Sequence, residues 1–191
     1  MSRPREFDED QVLDQVLKTF WMRGYEGTSI DDLTAATGLA RASLYGAFGD
    51  KTQLFERAIT RYTEKISDLA ELVTEAPSVR EGLRRMFSRW IEVACPSSGP
   101  KGCFLLLSAG LGPSESDLAS KLAARSRQTL LDTLEAAIRR AQASGEFART
   151  REPRDLAALL SVVLQGIATG ARVGASREEL SRSASAALAL L

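Results

Sequence analysis

The sequence predicts an all-α protein: an N-terminal three-helix helix-turn-helix domain followed by a larger helical domain, about nine helices in all. Three observations predict it. Apolar residues recur at helical spacing from end to end, and no segment alternates with the period of two that a strand needs. Ser, Asp and Gly also fall where helices start and stop. The expected division is residues 1–50 for the first domain and 51–191 for the second.

The first helix follows a cap at Asp8, with Gln11 three residues on, and carries Val12, Leu13, Val16, Leu17, Phe20 and Trp21 on one stripe. Gly24 ends it. Ser29 and Asp32 make a capping-box pair for a short second helix that turns Ile30 and Leu33 inward and stops at Gly38. A third runs from about Ala40 to Phe48, stopped by Gly49. Asp50 with Gln53 caps a fourth, expected to continue through Leu54, Phe55, Ala58, Ile59, Tyr62, Ile66, Leu69 and Val73 until Pro77 breaks it. Beyond lie helices over about Val79–Ala94, Phe104–Gly110, Ser116–Ser144, Arg154–Ala175 and from Arg177 onward. The segment Pro96–Gly102, rich in Pro, Gly and Ser, reads as a loop.

Composition narrows the function. The chain has 191 residues, 44% hydrophobic and 26% charged, with formal net charge +0. The polar start MSRPREFDED lacks an apolar core, so no secretory leader is expected. The longest apolar stretch, about Leu156 to Ala171, contains Gln165 and falls short of the ~20 residues of a membrane span. With only two cysteines, Cys95 and Cys103, the expectation is a cytoplasmic protein without a membrane partner. There is no histidine, no Gly-rich phosphate loop, no nucleophile elbow and no pair of carboxylates in an apolar context, which argues against an enzyme. No cofactor and no metal is expected. Residues 1–51 hold six Lys/Arg and nine Asp/Glu, which counts against a general polyanion binder. A small module whose few cations face phosphates is not excluded, because affinity depends on local placement.

Residues 24–51, GYEGTSIDDLTAATGLARASLYGAFGDK, are the most informative. Two short helices meet at Thr37-Gly38-Leu39, where glycine leaves the first helix with positive φ at no steric cost. Ile30, Leu33, Leu39, Leu44 and Phe48 form a patch that locks the pair, which is the build of a helix-turn-helix with its second helix held out for a DNA major groove. The outward face would carry Arg41, Ala42, Ser43, Tyr45, Gly46 and Ala47. Arg41 can donate to guanine or phosphate, Ser43 can bond either way, and Ala42 and Ala47 can touch a thymine methyl. Tyr45 and the Thr28 and Ser29 hydroxyls suit phosphate oxygens. Lys51 adds charge at a helix N-terminus, and Arg3 and Arg5 can reach a minor groove. A helical adaptor that binds no DNA is the alternative; it need not present Arg41, Ser43 and Tyr45 together.

The run Gly24-Tyr25, Thr28-Ser29, Gly38, Leu44-Tyr45, Phe48 and Lys51-x-x-Leu54-Phe55 resembles the N-terminal domain of the TetR family of bacterial transcriptional regulators. The upstream SRPREFD and Phe20-Trp21 extend the likeness over about residues 3–62. The resemblance implies a homodimer on double-stranded operator DNA with an inverted repeat, one recognition helix per half-site, and repression that a small-molecule effector relieves. It puts Arg41, Ala42, Ser43, Tyr45, Gly46, Ala47 and Lys51 on DNA-facing positions. Two departures stand out: Thr34 occupies a position often held by a smaller residue, and Gly46-Ala47 replace larger side chains, which thins base readout.

In the second half, the helix near 154–175 has an inward stripe of Leu156, Leu159, Leu160, Val163, Ile167 and Ala171, and glycines at 166, 170 and 174. Glycine inside a helix costs up to ~1 kcal/mol relative to alanine, so three in register suggest close helix approach. The expectation is a subunit interface of Leu159, Val163, Gly166, Ile167, Gly170 and Gly174 with Leu180 and Ala184 of the last helix; a tightly packed internal pair is the alternative. Cys103, beside Lys101, opens an apolar helix where the dipole favours a thiolate. The Gly-Cys-apolar run is similar to that of a TetR subgroup with electrophile- and redox-responsive members, which implies a sensor; a small buried hydrophobe is the other reading. Cys95 and Cys103, with seven residues between them, can also form a reversible disulfide or hold a soft ion such as Cu(I). Phe87, Trp90, Phe104, Leu107 and Leu111 are the candidates for lining an apolar effector pocket.

Overall fold

A computed structural model describes residues 7–109 and 117–191. Among the described residues all regular structure is helical: α1 (Glu9–Arg23), α2 (Ile30–Thr37), α3 (Arg41–Phe48), α4 (Lys51–Lys65), a 3-10 turn (Ser67–Leu69), α5 (Glu71–Thr74), α6 (Val79–Ala94), α7 (Phe104–Ala109), α8 (Asp117–Ala143), α9 (Pro153–Arg172) and α10 (Arg177–Leu188). The chain forms two compact units. One holds α1–α4 with α7 and the start of α8 through Lys121; the other holds α5, α6, the rest of α8, α9 and α10.

Local chemistry places the helix ends of the first unit. The Asp8 carboxylate accepts from the amides of Asp10 and Gln11, satisfying donors that the first turn leaves open. At α2 the Ser29 hydroxyl accepts from Asp32 N at 3.1 Å while the Asp32 carboxylate accepts from Ser29 N at 2.8 Å, a complete capping box. Gly38 stands at φ 68°, ψ 7°, the left-handed geometry that lets the chain leave α2 and start α3 three residues later. Asp50 and Gln53 exchange the same reciprocal bonds at the head of α4.

The first unit is closed by α4 packing along α1. Val16, Leu17 and Phe20 meet Leu54, Phe55, Ala58, Ile59 and Tyr62, all buried. α7 adds Phe104, whose ring lies edge-on to Phe55 and Tyr62 at 5.8 Å each and tilted against Trp21 at 6.1 Å. This compact unit therefore runs past residue 50, because the apolar face of α4 finds its partner in α1.

Helix four is shorter than its apolar pattern predicts. α4 stops at Lys65, Ile66 takes φ −115°, ψ 8°, and the stripe continues through the 3-10 turn into α5. The reason lies in the second unit, where α5 presses on α6 at Gly82. A Cβ there would lie 2.8 Å from Val73 Cα and 2.9 Å from Leu72 O, so the two backbones touch. In that unit Leu83, Met86, Phe87, Trp90 and Ile91 of α6 meet the buried faces of α9 and α10. Trp90 Nε1 donates to Leu164 O at 2.7 Å, and the Glu146 carboxylate accepts from the amides of Val79 and Arg80, capping α6 from 66 residues away.

Candidate DNA-binding surface

α3 is held by two side chains and exposed elsewhere. Leu44 and Phe48 are buried, whereas Arg41, Ala42, Ser43, Tyr45 and Gly46 are exposed and Ala47 is half-buried. Phe7 and Arg57 pack over the Phe48 ring, at 6.1 and 5.6 Å. No side chain caps α3: Ala40 is its N-cap, so the amides of Arg41 and Ala42 stay open to an acceptor from outside. Such a rod, fixed by one stripe and clear on the other, can lie in a groove.

The polar residues around α3 divide. Arg41 Nη2 donates to Asp31 Oδ1 at 3.2 Å, with both side chains largely exposed. Lys51 sits with its ammonium 4.2 Å from the Tyr25 ring centroid, and the Tyr25 and Thr52 hydroxyls are 2.9 Å apart. Tyr25 also stacks on Phe20, which anchors this corner in the core. Two residues expected to meet phosphate make internal hydrogen bonds. Thr28 is buried and its hydroxyl donates to Gly24 O at 2.6 Å. The Ser29 hydroxyl donates to Asp32 Oδ2 at 2.7 Å. Both act in the turn and cap that set α2. Hydrogen bonding to Ser29 holds the Asp32 carboxyl below the usual range, with Arg23 adding to it. Arg3 and Arg5 lie outside the described residues. Sequence reasoning passed over Tyr25, Thr52 and Asp31 as parts of this surface. The Tyr25–Lys51 pairing is signalled only by an aromatic residue after Gly24 and a cation after Asp50.

In the second unit the glycine series does not act as one face. Gly166 has nothing within 4 Å of an added Cβ, whereas a Cβ on Gly170 would meet Leu180 Cδ2 at 3.1 Å. Gly174 lies beyond α9 at φ 104° and reverses the chain toward α10. Steps of four residues drift about 40° around a helix, enough to carry the series from the outer face to the α10 contact. Ile167, Leu180 and Ala184 are buried within the unit, so they build the protomer. The open residues of α9 include an apolar strip of Leu159 (38% exposed), Val162 (62%), half-buried Val163 and Gly166, and Val173 (80%) lies past the helix end.

The sensor candidates are less open than their sequence context suggests. Cys95 and Cys103 are both buried and not joined as a disulfide. Cys95 ends α6, with its carbonyl accepting from Arg177; Cys103 follows Gly102, whose amide donates to Ala94 O at 2.7 Å. Phe87 and Trp90 are core of the second unit, Phe104 is core of the first, Leu107 is 37% exposed, and Leu111 lies outside the described residues. Among the described residues no group of three or more His, Cys, Asp or Glu is arranged to hold a metal ion, and no helix is long and apolar enough to cross a membrane.

Fold and surface together define a helix-turn-helix protein whose second motif helix is presented outward. Residues 12–58 match the model of bacterial regulatory proteins of the tetR family, and residues 69–187 match that of the tetracyclin repressor-like C-terminal domain. The chain belongs to the TetR family. It is 35% identical over 192 residues to the HTH-type transcriptional repressor ComR of Escherichia coli (strain K12), covering 98% of this chain and 90% of ComR. It is 28% identical to the HTH-type transcriptional repressor BdcR of the same strain, over 97% of this chain and 89% of BdcR. Among solved structures, a cysteine mutant of the TetR family regulator CifR complexed with 26-bp double-strand operator DNA superposes with a TM-score of 0.85, at 32% identity and 98% coverage of each chain.

Proposed function

We propose that this protein is a homodimeric transcriptional repressor of the cytoplasm that binds an inverted-repeat DNA operator through α3 and is released by a small molecule or electrophile. One observation carries the reading: α3 buries only Leu44 and Phe48 and offers Arg41, Ala42, Ser43, Tyr45 and Gly46, with two uncapped amides, to the outside. Arg41 is the donor for a guanine edge, since its planar fork matches the O6/N7 acceptors in the major groove. Tyr45 and the opened amides of α3 take phosphates, and Lys51, steadied on Tyr25, adds a cation beside the first turn of α4. The complex of CifR with operator DNA and the likeness to the repressors ComR and BdcR support operator binding and repression. The second copy is assigned to the open apolar strip of α9, Leu159, Val162, Val163 and Gly166, because a symmetric operator needs a symmetric protein. Residues 1–50 with Lys51 at the head of α4 read DNA, and the remainder senses and dimerises.

The test is selection of bound duplexes from a random pool, then gel retardation of the enriched duplex by the wild type and by Arg41→Ala. Loss of one good base contact costs about 1–3 kcal/mol and a homodimer loses two, so the variant should bind at least about thirtyfold more weakly with an unchanged melting temperature. No enriched sequence, or equal affinity in the two proteins, would refute the assignment.

A further inference from the structure

The reader unit is acidic, and the assignment above leaves that unexplained. Six cations face nine acids in residues 1–51. The structure shows where part of the excess goes. Arg23 is paired with Asp32 and Arg41 with Asp31. Asp32 already supplies the capping box of α2, which leaves Asp31 without a role in the cap. Asp31 stands in the first turn of α2, its side chain 88% exposed, with its carboxylate 3.2 Å from the guanidinium at the head of α3.

We infer that Asp31 is a specificity-determining residue, which suppresses sequence-independent DNA binding by occupying Arg41 until a guanine edge is presented to it. This rests on the reading of α3 as the DNA-facing helix. Sequence-independent affinity comes from cations that neutralise phosphates and release counterions. An arginine already neutralised by a carboxylate gives little of that. A guanine edge is different. Its O6 and N7 are uncharged acceptors, and a guanidinium has five donors in a fixed fork. One N–H can stay on Asp31 while the others meet the base. The pair therefore penalises the phosphate contact and tolerates the base contact, and it also holds the arginine in place for a helix whose Gly46 and Ala47 contribute little readout.

The experiment measures binding by fluorescence anisotropy at several salt concentrations, using a random-sequence duplex pool and the duplex enriched from it by the wild type. Asp31→Asn, Arg41→Ala and the double variant are compared. Asp31→Asn should bind the random pool about fivefold tighter, with a salt slope steeper by about two phosphate contacts, one per protomer, while its preference for the enriched duplex falls. In the double variant the gain should vanish, because the freed cation is gone. Random-pool affinity and slope unchanged in Asp31→Asn would overturn the inference, as would a gain that persists without Arg41. Arg41→Ala alone separates the two levels: if it leaves binding of the enriched duplex intact, the reading of α3 fails. A weakened Arg41→Ala beside a silent Asp31→Asn defeats only the role given to Asp31.

Discussion

Replacing Gly166 with leucine should break the dimer while leaving the protomer folded, and replacing Gly170 should do the reverse. At position 166 a Cβ meets nothing within 4 Å, so a leucine extends into open space on the outer face of α9. Removing a helix-interior glycine there should favour the protomer by up to ~1 kcal/mol. In the proposed dimer that space is taken by the second copy. Two symmetry-related leucines, each overpacking the interface by ~1–3 kcal/mol, should weaken association about thirtyfold or more. At 170 the new side chain runs into Leu180 Cδ2 at 3.1 Å and Ala175 Cβ at 3.6 Å, so the α9–α10 contact must part and the protomer loses ~1–3 kcal/mol. Sedimentation equilibrium gives the association constant, and chemical denaturation at a concentration where the protein is monomeric gives protomer stability. A Gly166→Leu protein that dimerises as tightly as the wild type would refute the placement of the interface on this strip.

Ser29→Ala removes the capping box of α2 and should cost ~1 kcal/mol, a fall of about 4–8 °C in thermal melting of the reader unit; an unchanged melt would show that tertiary packing alone sets the start of α2. Cys103 is 6% exposed, so a maleimide should label it slowly in the native protein and quickly in urea. If it is nonetheless the sensor, prolonged alkylation should release DNA from the wild type and spare Cys103→Ser, whereas equal release from both would retire the thiol mechanism. Hydrogen bonds from Arg84 and then Arg85 hold the Glu81 carboxyl down at about 2, against an ordinary 4.5. A carboxyl depressed in the folded state stabilises above its unfolded value and loses that contribution as pH falls through the folded one. The melting difference between wild type and Glu81→Gln should therefore be present at neutral pH and shrink from about pH 4.5 downward; a difference that grows in acid would contradict the pairing.

Helix ends were the most legible part of the fold because they depend on a few local bonds. Asp8, Ser29 with Asp32, Asp50 with Gln53, and Gly38 all act where their residue types predicted. α6 begins at Val79 and ends at Ala94, as its periodicity indicates. What failed to show was set by tertiary packing. The break after Lys65 follows from contact between the α5 and α6 backbones at Gly82, far along the chain. The glycine series looked like one face because spacing was counted without the helical drift. Leu180 and Ala184 read equally well as interface or core until α10 was seen folded against α6 and α9. On the candidate surface, the outward residues of α3 were legible from the two anchors Leu44 and Phe48. Thr28 and Ser29 were not, since a hydroxyl looks alike in sequence whether its proton serves a phosphate or its own turn. The partners of Arg41 and Lys51 lie on other helices and carry no short-range signal.

The most direct test of the outward α3 is methylation interference on the enriched duplex, which asks whether a methyl group on guanine N7, in the major groove, blocks binding. The account predicts two clusters of interfering guanines, separated by about one helical turn or a multiple of it, with one guanine in each cluster losing its effect in Arg41→Ala. Interference confined to adenine N3 in the minor groove, or a pattern identical in the wild type and Arg41→Ala, would contradict it.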